Sequence, residues 1–139
     1  MTQRKYYRQI VIRYITLPQQ EHDENAEIDY IYQCLGLGDA SDVVGLLVFR
    51  TLVKASMQGT GISSKDLMEL SEVSQAAVIY HLNLFQRSGL VIRDGRIYRL
   101  RGDNLEQTLS EMQNDMQRRF EHLREIAKKV SIHTVKVNE

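Results

Sequence analysis

The most pointed chemistry in this sequence lies on the helix predicted to begin after Ser74 and run to about Ser88. Gln75, Ala76, Ile79, Tyr80 and Asn83 fall largely on one side of it, while Ala77, Val78, Leu82 and Phe85 fall on the other and can pack inward. A solvated face would carry rows of Lys and Glu, but this one carries amides, a phenol and small or branched apolar groups. An α-helix fits the major groove of a double helix, and its N-terminal half usually touches the bases. There Gln75 can read adenine through its amide, Ala76 or Ile79 can meet a thymine methyl, and Tyr80 can reach a phosphate or a base edge. The competing use of Ile79 and Tyr80 is packing against another part of the protein. Arg93 and Arg96 flank an Asp94-Gly95 turn and can reach phosphates or an adjacent minor groove, unless the turn is simply solvated. Lys65 and Arg87 are further phosphate candidates, and Ser74 at the start of the helix is counted with the DNA-binding set.

Other chemistries find few residues. Cys34 is the sole cysteine, and the four histidines (His22, His81, His122, His133) are scattered along the chain. His122 and Glu125 have the i, i+3 spacing of two ligands on one helix face, but a metal site needs three or four donors. No metal and no cofactor are therefore expected. His81 reads as a half-buried side chain bonded to nearby backbone. Gly36-Leu37-Gly38 and Gly59-Thr60-Gly61 are isolated pairs without a phosphate-binding context, and no serine elbow or Cys-His arrangement occurs. Paired carboxylates fall only on predicted solvated faces, and the expectation is a protein that is not an enzyme.

The positioning elements follow from periodicity. Residues 5–16 are rich in β-branched and aromatic types and predict a strand; Pro18 to Asn25 predicts a loop. Ile28, Ile31, Tyr32 and Leu35 predict a short helix over 26–35, stopped by Gly36. Ser41 is expected to cap a stronger helix with Asp42 in its first turn and Val44, Leu47, Val48, Thr51, Leu52 and Ala55 as its stripe. Ser63 or Ser64 can cap the next helix, with Leu67 and Leu70 apolar, and Glu72-Val73-Ser74 makes a turn before the helix described above. After Gly89 the period changes, and Leu90–Arg93 and Arg96–Leu100 around Asp94-Gly95 predict a hairpin. Asp103 or Asn104 then opens a long helix whose apolar stripe is Leu105, Leu109, Met112, Met116, Phe120, Leu123, Ile126 and Val130. Roughly 27 residues would extend about 40 Å, too long for one small domain to cover, so pairing with a twin helix is expected. Met112, Met116 and Phe120 could alternatively line a ligand pocket between paired helices, although packing is the commoner use of such residues.

The order helix, helix, short turn, helix, hairpin, together with Val78-Ile79-Tyr80-His81-Leu82, Ser88-Gly89-Leu90-Val91 and Asp94-Gly95-Arg96 followed by Tyr98 and Leu100, resembles the winged helix-turn-helix of arsenic-repressor (ArsR-like) and multiple-antibiotic-resistance (MarR-like) regulators. The resemblance covers less than half of the chain. A histidine is common at the place of His81 in the first family. The clustered Cys and His ligands of that family's metal sensors are missing here. The resemblance implies a mainly α fold with a small β-hairpin wing, an α+β arrangement. Combined with the periodicity, it divides the chain into an N-terminal extension (1–38), a winged domain (39–102) and a C-terminal dimerisation helix (103–132). The expected function is sequence-specific binding of double-stranded DNA by a homodimeric transcription regulator, helix in the major groove and wing on the backbone or minor groove. The alternative is a winged-helix module for protein–protein interaction.

Net charge does not decide between them, because 18 Lys and Arg balance 18 Asp and Glu. The distribution is uneven. Residues 1–20 hold Arg4, Lys5, Arg8 and Arg13 without an acid, residues 21–30 hold five acids without a base, and Arg93, Arg96, Arg99 and Arg101 face a single Asp94. No apolar run approaches the roughly 20 residues that span a bilayer, and a cytoplasmic protein is expected.

Overall fold

The computed structural model describes residues 23–137, with side chains through Ile132; the strand expected over 5–16 lies outside the described residues. The elements are α1 (Glu24–Cys34), α2 (Val43–Met57), β1 (Ile62–Ser63), α3 (Ser64–Ser71), α4 (Gln75–Arg87), β2 (Val91–Asp94), β3 (Ile97–Leu100) and α5 (Leu105–Val137). The architecture is mainly helical, with a small antiparallel sheet of order β1-β3-β2 and a long C-terminal helix.

Polar caps set the helix starts. Side-chain oxygens of Asp23, Asp42, Ser63, Ser74 and Asn104 accept hydrogen bonds from the N–H groups of Asn25, Gly45, Asp66, Ala77 and Gln107. The ends of α1, α2 and α4 share one device. Gly36, Gly59 and Gly89 take positive φ, and the next residue's N–H returns to the carbonyl of Tyr32, Ala55 or Phe85. Carbonyls that the helix would leave orphaned are thereby satisfied.

Rings from three helices form the centre. Tyr32, Phe49 and Phe85, all fully buried, place their centroids 5.4, 6.0 and 6.2 Å apart. Leu67 of α3, Val91, Tyr98 and Leu100 of the sheet and Met112 of α5 close the same core. A guanidinium of Arg50 grips the Asp29 carboxylate with both ends, Nε at 2.7 Å, and fixes α1 on α2.

Several expectations are corrected. Asp42, not Ser41, caps α2, because the Ser41 hydroxyl turns to Asp39. The buried face of α2 is rotated: Leu46, Phe49 and Val53 join Val48 and Leu52 inside, while Val44, Leu47, Thr51 and Ala55 are only partly covered. Apolar residues nearly encircle this helix, so periodicity cannot fix its inner face. Leu70 is 69% exposed, since the two-turn α3 buries only Leu67. β1 is a strand not foreseen from the sequence, pairing Ile62 with Tyr98 and Ser63 with Ile97. Asp94 belongs to β2 and pairs with Ile97, leaving Gly95-Arg96 as the turn. Gly95 has φ 64 and Arg96 does not share the positive sign, the pattern of a type II′ turn.

α5 has 33 residues, about 50 Å at 1.5 Å each. Its first turns are anchored: Thr108, Met112 and Asp115 are buried, and the Thr108 hydroxyl accepts from Gly102 N–H at 2.9 Å. From Gln117 to Ile132 every side chain is exposed. Among the described residues, no helix is long and apolar enough to cross a membrane.

Candidate nucleic-acid interface

α4 presents one face with little freedom to rotate. Its Val78, Leu82 and Phe85 are fully buried, its N-terminus is capped by Ser74 at 3.2 Å, and its end is closed at Gly89 and Leu90. The opposite side carries Ala76, Tyr80, Asn83 and Arg87, all exposed and spaced i, i+4, i+7, i+11. They form a stripe about 16 Å long. Gln75 is exposed in the first turn, at the positive end of the helix backbone, and Tyr80 is 65% exposed. Ile79 departs from the expected outward set. It is half-buried and packs against the core, because its position lies between the exposed stripe and the buried face.

The approach to α4 is set by a three-residue turn, Glu72-Val73-Ser74. Glu72 adopts the left-handed conformation, φ 55, and its N–H bonds to the Met68 carbonyl at 3.1 Å. Lys65 is exposed in the first turn of α3.

At the hairpin, Arg93 and Arg96 are exposed. Arg93 is braced: its Nε donates to the Gly95 carbonyl at 2.8 Å and its guanidinium lies 5.3 Å from the centre of the Tyr98 ring. Arg96 occupies the tip. Arg101 is turned inward, 2.5 Å from Asp115 and 3.3 Å from Glu111. Burial pushes the Asp115 carboxyl up, but hydrogen bonds and charge from Arg101 and Arg118 outweigh it and hold the group below its ordinary 3.8. Among the described residues, Lys65, Arg87, Arg93 and Arg96 are in no ion pair.

Asp42, expected only as an acid in the first turn of α2, has a role that sequence reasoning missed. Its Oδ1 caps α2 at Gly45 N–H, 3.2 Å, while its Oδ2 accepts from the Tyr32 hydroxyl at 2.5 Å. His81 of α4 brings Nε2 to 3.6 Å from Oδ1, and its Nδ1 is buried without a partner among the described residues. His81 thus lies beside the carboxylate that caps α2, and the backbone hydrogen bond expected for it is not formed among the described residues. One carboxylate ties α1 to the start of α2 and lies against His81 of α4. Burial first, then the hydrogen bond and charge of Asp42, raise the Tyr32 phenol far above its ordinary 10.0. The available signal was the Asp42-Val-Val-Gly45 spacing: a Cβ on Gly45 would come 2.1 Å from the Tyr32 hydroxyl oxygen.

On α5, Leu105, Leu109 and Met116 are half-buried and Met112 is buried, whereas Phe120, Leu123 and Ile126 are 61%, 56% and 44% exposed. An apolar cleft of about 470 Å³ runs along α5 between Leu35 and Phe120, lined also by Leu109, Met112 and Met116. Among the described residues, no three His, Cys, Asp or Glu side chains gather as a metal site would require, and Cys34 is unpaired and partly exposed.

Compared with known proteins, the chain matches no family model, no curated protein and no solved structure.

Proposed function

We propose that the chain is a winged helix-turn-helix protein that binds duplex DNA as a homodimer and regulates transcription, a binding protein and not an enzyme. The observation that carries this reading is the outer face of α4. It is exposed over its whole length, rigidly backed by the ring cluster, and furnished with Gln75, Ala76, Tyr80 and Asn83 where a solvated helix would carry charges. The α3–turn–α4 unit has the three-residue connection common to DNA-binding helix pairs, and the major groove, about 12 Å wide, admits such a helix. The hairpin is then the wing. Arg96 at its tip and the braced Arg93 are placed to meet backbone or minor groove, with Lys65 and Arg87 as phosphate contacts from the helices. The bare stripe of α5 supports a second copy, which would present two α4 helices to two half-sites.

Selection of bound molecules from a pool of random duplexes tests the reading. The expected product is an inverted repeat whose half-sites lie about one helical turn, 10–10.5 bp, apart. Gln75→Ala should cost roughly 1–3 kcal/mol at one base position and relax the preference there. A pool that never enriches rejects the reading. Loss of a protein complex in Gln75→Ala/Tyr80→Ala, with DNA affinity untouched, establishes the protein-interaction module instead.

A further inference from the structure

We infer that the dimer is antiparallel along α5, each copy laying the second half of its α5 into the apolar cleft beside the other's α1; this rests on the homodimer reading above. Two independent features point the same way. The first is where apolar surface is left open. The cleft is not on the projecting half of α5 alone. It reaches back to Leu109 and Met112 on the anchored half and to Leu35 at the end of α1. Parallel helices would join only their projecting halves and leave that cleft empty. Antiparallel helices return each projecting half along the partner's anchored half and cover Phe120, Leu123, Ile126 and Val130 together with the cleft.

The second is charge. From Asp103 to Asp115 the helix and its cap hold Asp103, Glu106, Glu111 and Asp115 and no Lys or Arg. From Arg118 to Lys129 they hold Arg118, Arg119, Arg124, Lys128 and Lys129 against Glu121 and Glu125. Within each chain Arg101 balances Glu111 and Asp115, Arg118 also reaches Asp115 and Lys128 reaches Glu125, while Asp103 and Glu106 on the acidic half and Arg124 and Lys129 on the basic half stay exposed. Antiparallel packing sets the acidic half beside the partner's basic half. Parallel packing sets the basic halves side by side, which like charges oppose. A register centred near Phe120 brings Met116 near Leu123, Met112 near Ile126 and Leu109 near Val130, sets Phe120 close to its own copy at the centre, and brings Gln113 and Ala127 together on the flank.

Disulfide trapping on a Cys34→Ser background tests the orientation. One chain carries Gln113→Cys, a second Ala127→Cys, and a third Val130→Cys; Gln113, Ala127 and Val130 are all exposed. Under mild oxidation, the mixture of the first two chains should give the mixed disulfide in the dimers that hold one chain of each kind, and Val130→Cys should not link to itself. Self-linking of Val130→Cys without the mixed product overturns the antiparallel arrangement and leaves the homodimer standing. A dimer in sedimentation that yields neither product also overturns it, because α5 would not be the interface. A monomer at all concentrations removes the homodimer reading as well.

Discussion

Replacing Tyr32 by Phe isolates the buried link between α1 and the start of α2. The ring would keep its contacts with Phe49 and Phe85 and its full burial, so packing changes little. What is lost is the hydroxyl donating to Asp42 at 2.5 Å, with a weaker approach to the Leu37 carbonyl at 3.3 Å. A hydrogen bond to a charged acceptor contributes about 1.5–3 kcal/mol. The Asp42 side chain is 23% exposed, so water replaces part of the lost donor and a cost of about 2 kcal/mol is expected. With a urea dependence of about 1–3 kcal/mol per molar, the unfolding midpoint should fall by about 1 M at fixed protein concentration. The difference has a pH signature. The Tyr32 phenol ionises well above its ordinary 10.0 in the folded chain, so unfolded chains lose that proton first. The stability it contributes is complete below about pH 10 and declines as pH rises beyond it. The gap between wild type and Tyr32→Phe should therefore narrow above pH 10. A midpoint shift under about 0.2 M, or a gap that ignores alkaline pH, would refute the assignment of Asp42 as the hub.

Gly45→Ala should destabilise the fold by about 1–3 kcal/mol in the same denaturation assay, because its Cβ would collide with the Tyr32 hydroxyl at 2.1 Å. Asp115→Asn should lower stability at neutral pH and make the acid limb of the unfolding profile shallower. The wild-type carboxyl titrates below its ordinary 3.8, so its contribution holds above that value and is lost as pH falls through the depressed one. Arg96→Ala should weaken DNA binding evenly across sequences and reduce the salt slope by about one, measured by titration at several salt concentrations. Glu72→Gly should be neutral or stabilising by up to about 1 kcal/mol in thermal melts, since a left-handed backbone suits glycine.

The capped helices and the hairpin were legible because their signals are local. Ser74 and Gly89 bracket α4, and a change of period after Gly89 announces the strands. What was not legible depends on contacts distant in sequence. β1 has two residues and exists only because β3 offers a partner edge. The inner face of α2 is chosen by α1, α3, α4 and β3, which pack around a helix apolar nearly all round. Ile79 was assigned outward by wheel position alone, and the core draws it half inward. The role of Asp42 needed Tyr32 and His81 in space, ten and thirty-nine residues away in sequence. Gln75, Ala76, Tyr80 and Asn83 were readable as outward because the buried residues of α4 recur at clean helical spacing.

If the outer side of α4 enters a double helix, its amides must contribute to the affinity for duplex DNA. The most direct measurement is fluorescence anisotropy of a labelled duplex, chosen from enriched sequences, titrated with wild type and with Gln75→Ala/Asn83→Ala across a salt series. The prediction is wild-type binding that weakens linearly with log salt, and a double variant that keeps the same slope at lower affinity. Equal affinities for the two proteins, or no duplex bound by either at low salt, would contradict it.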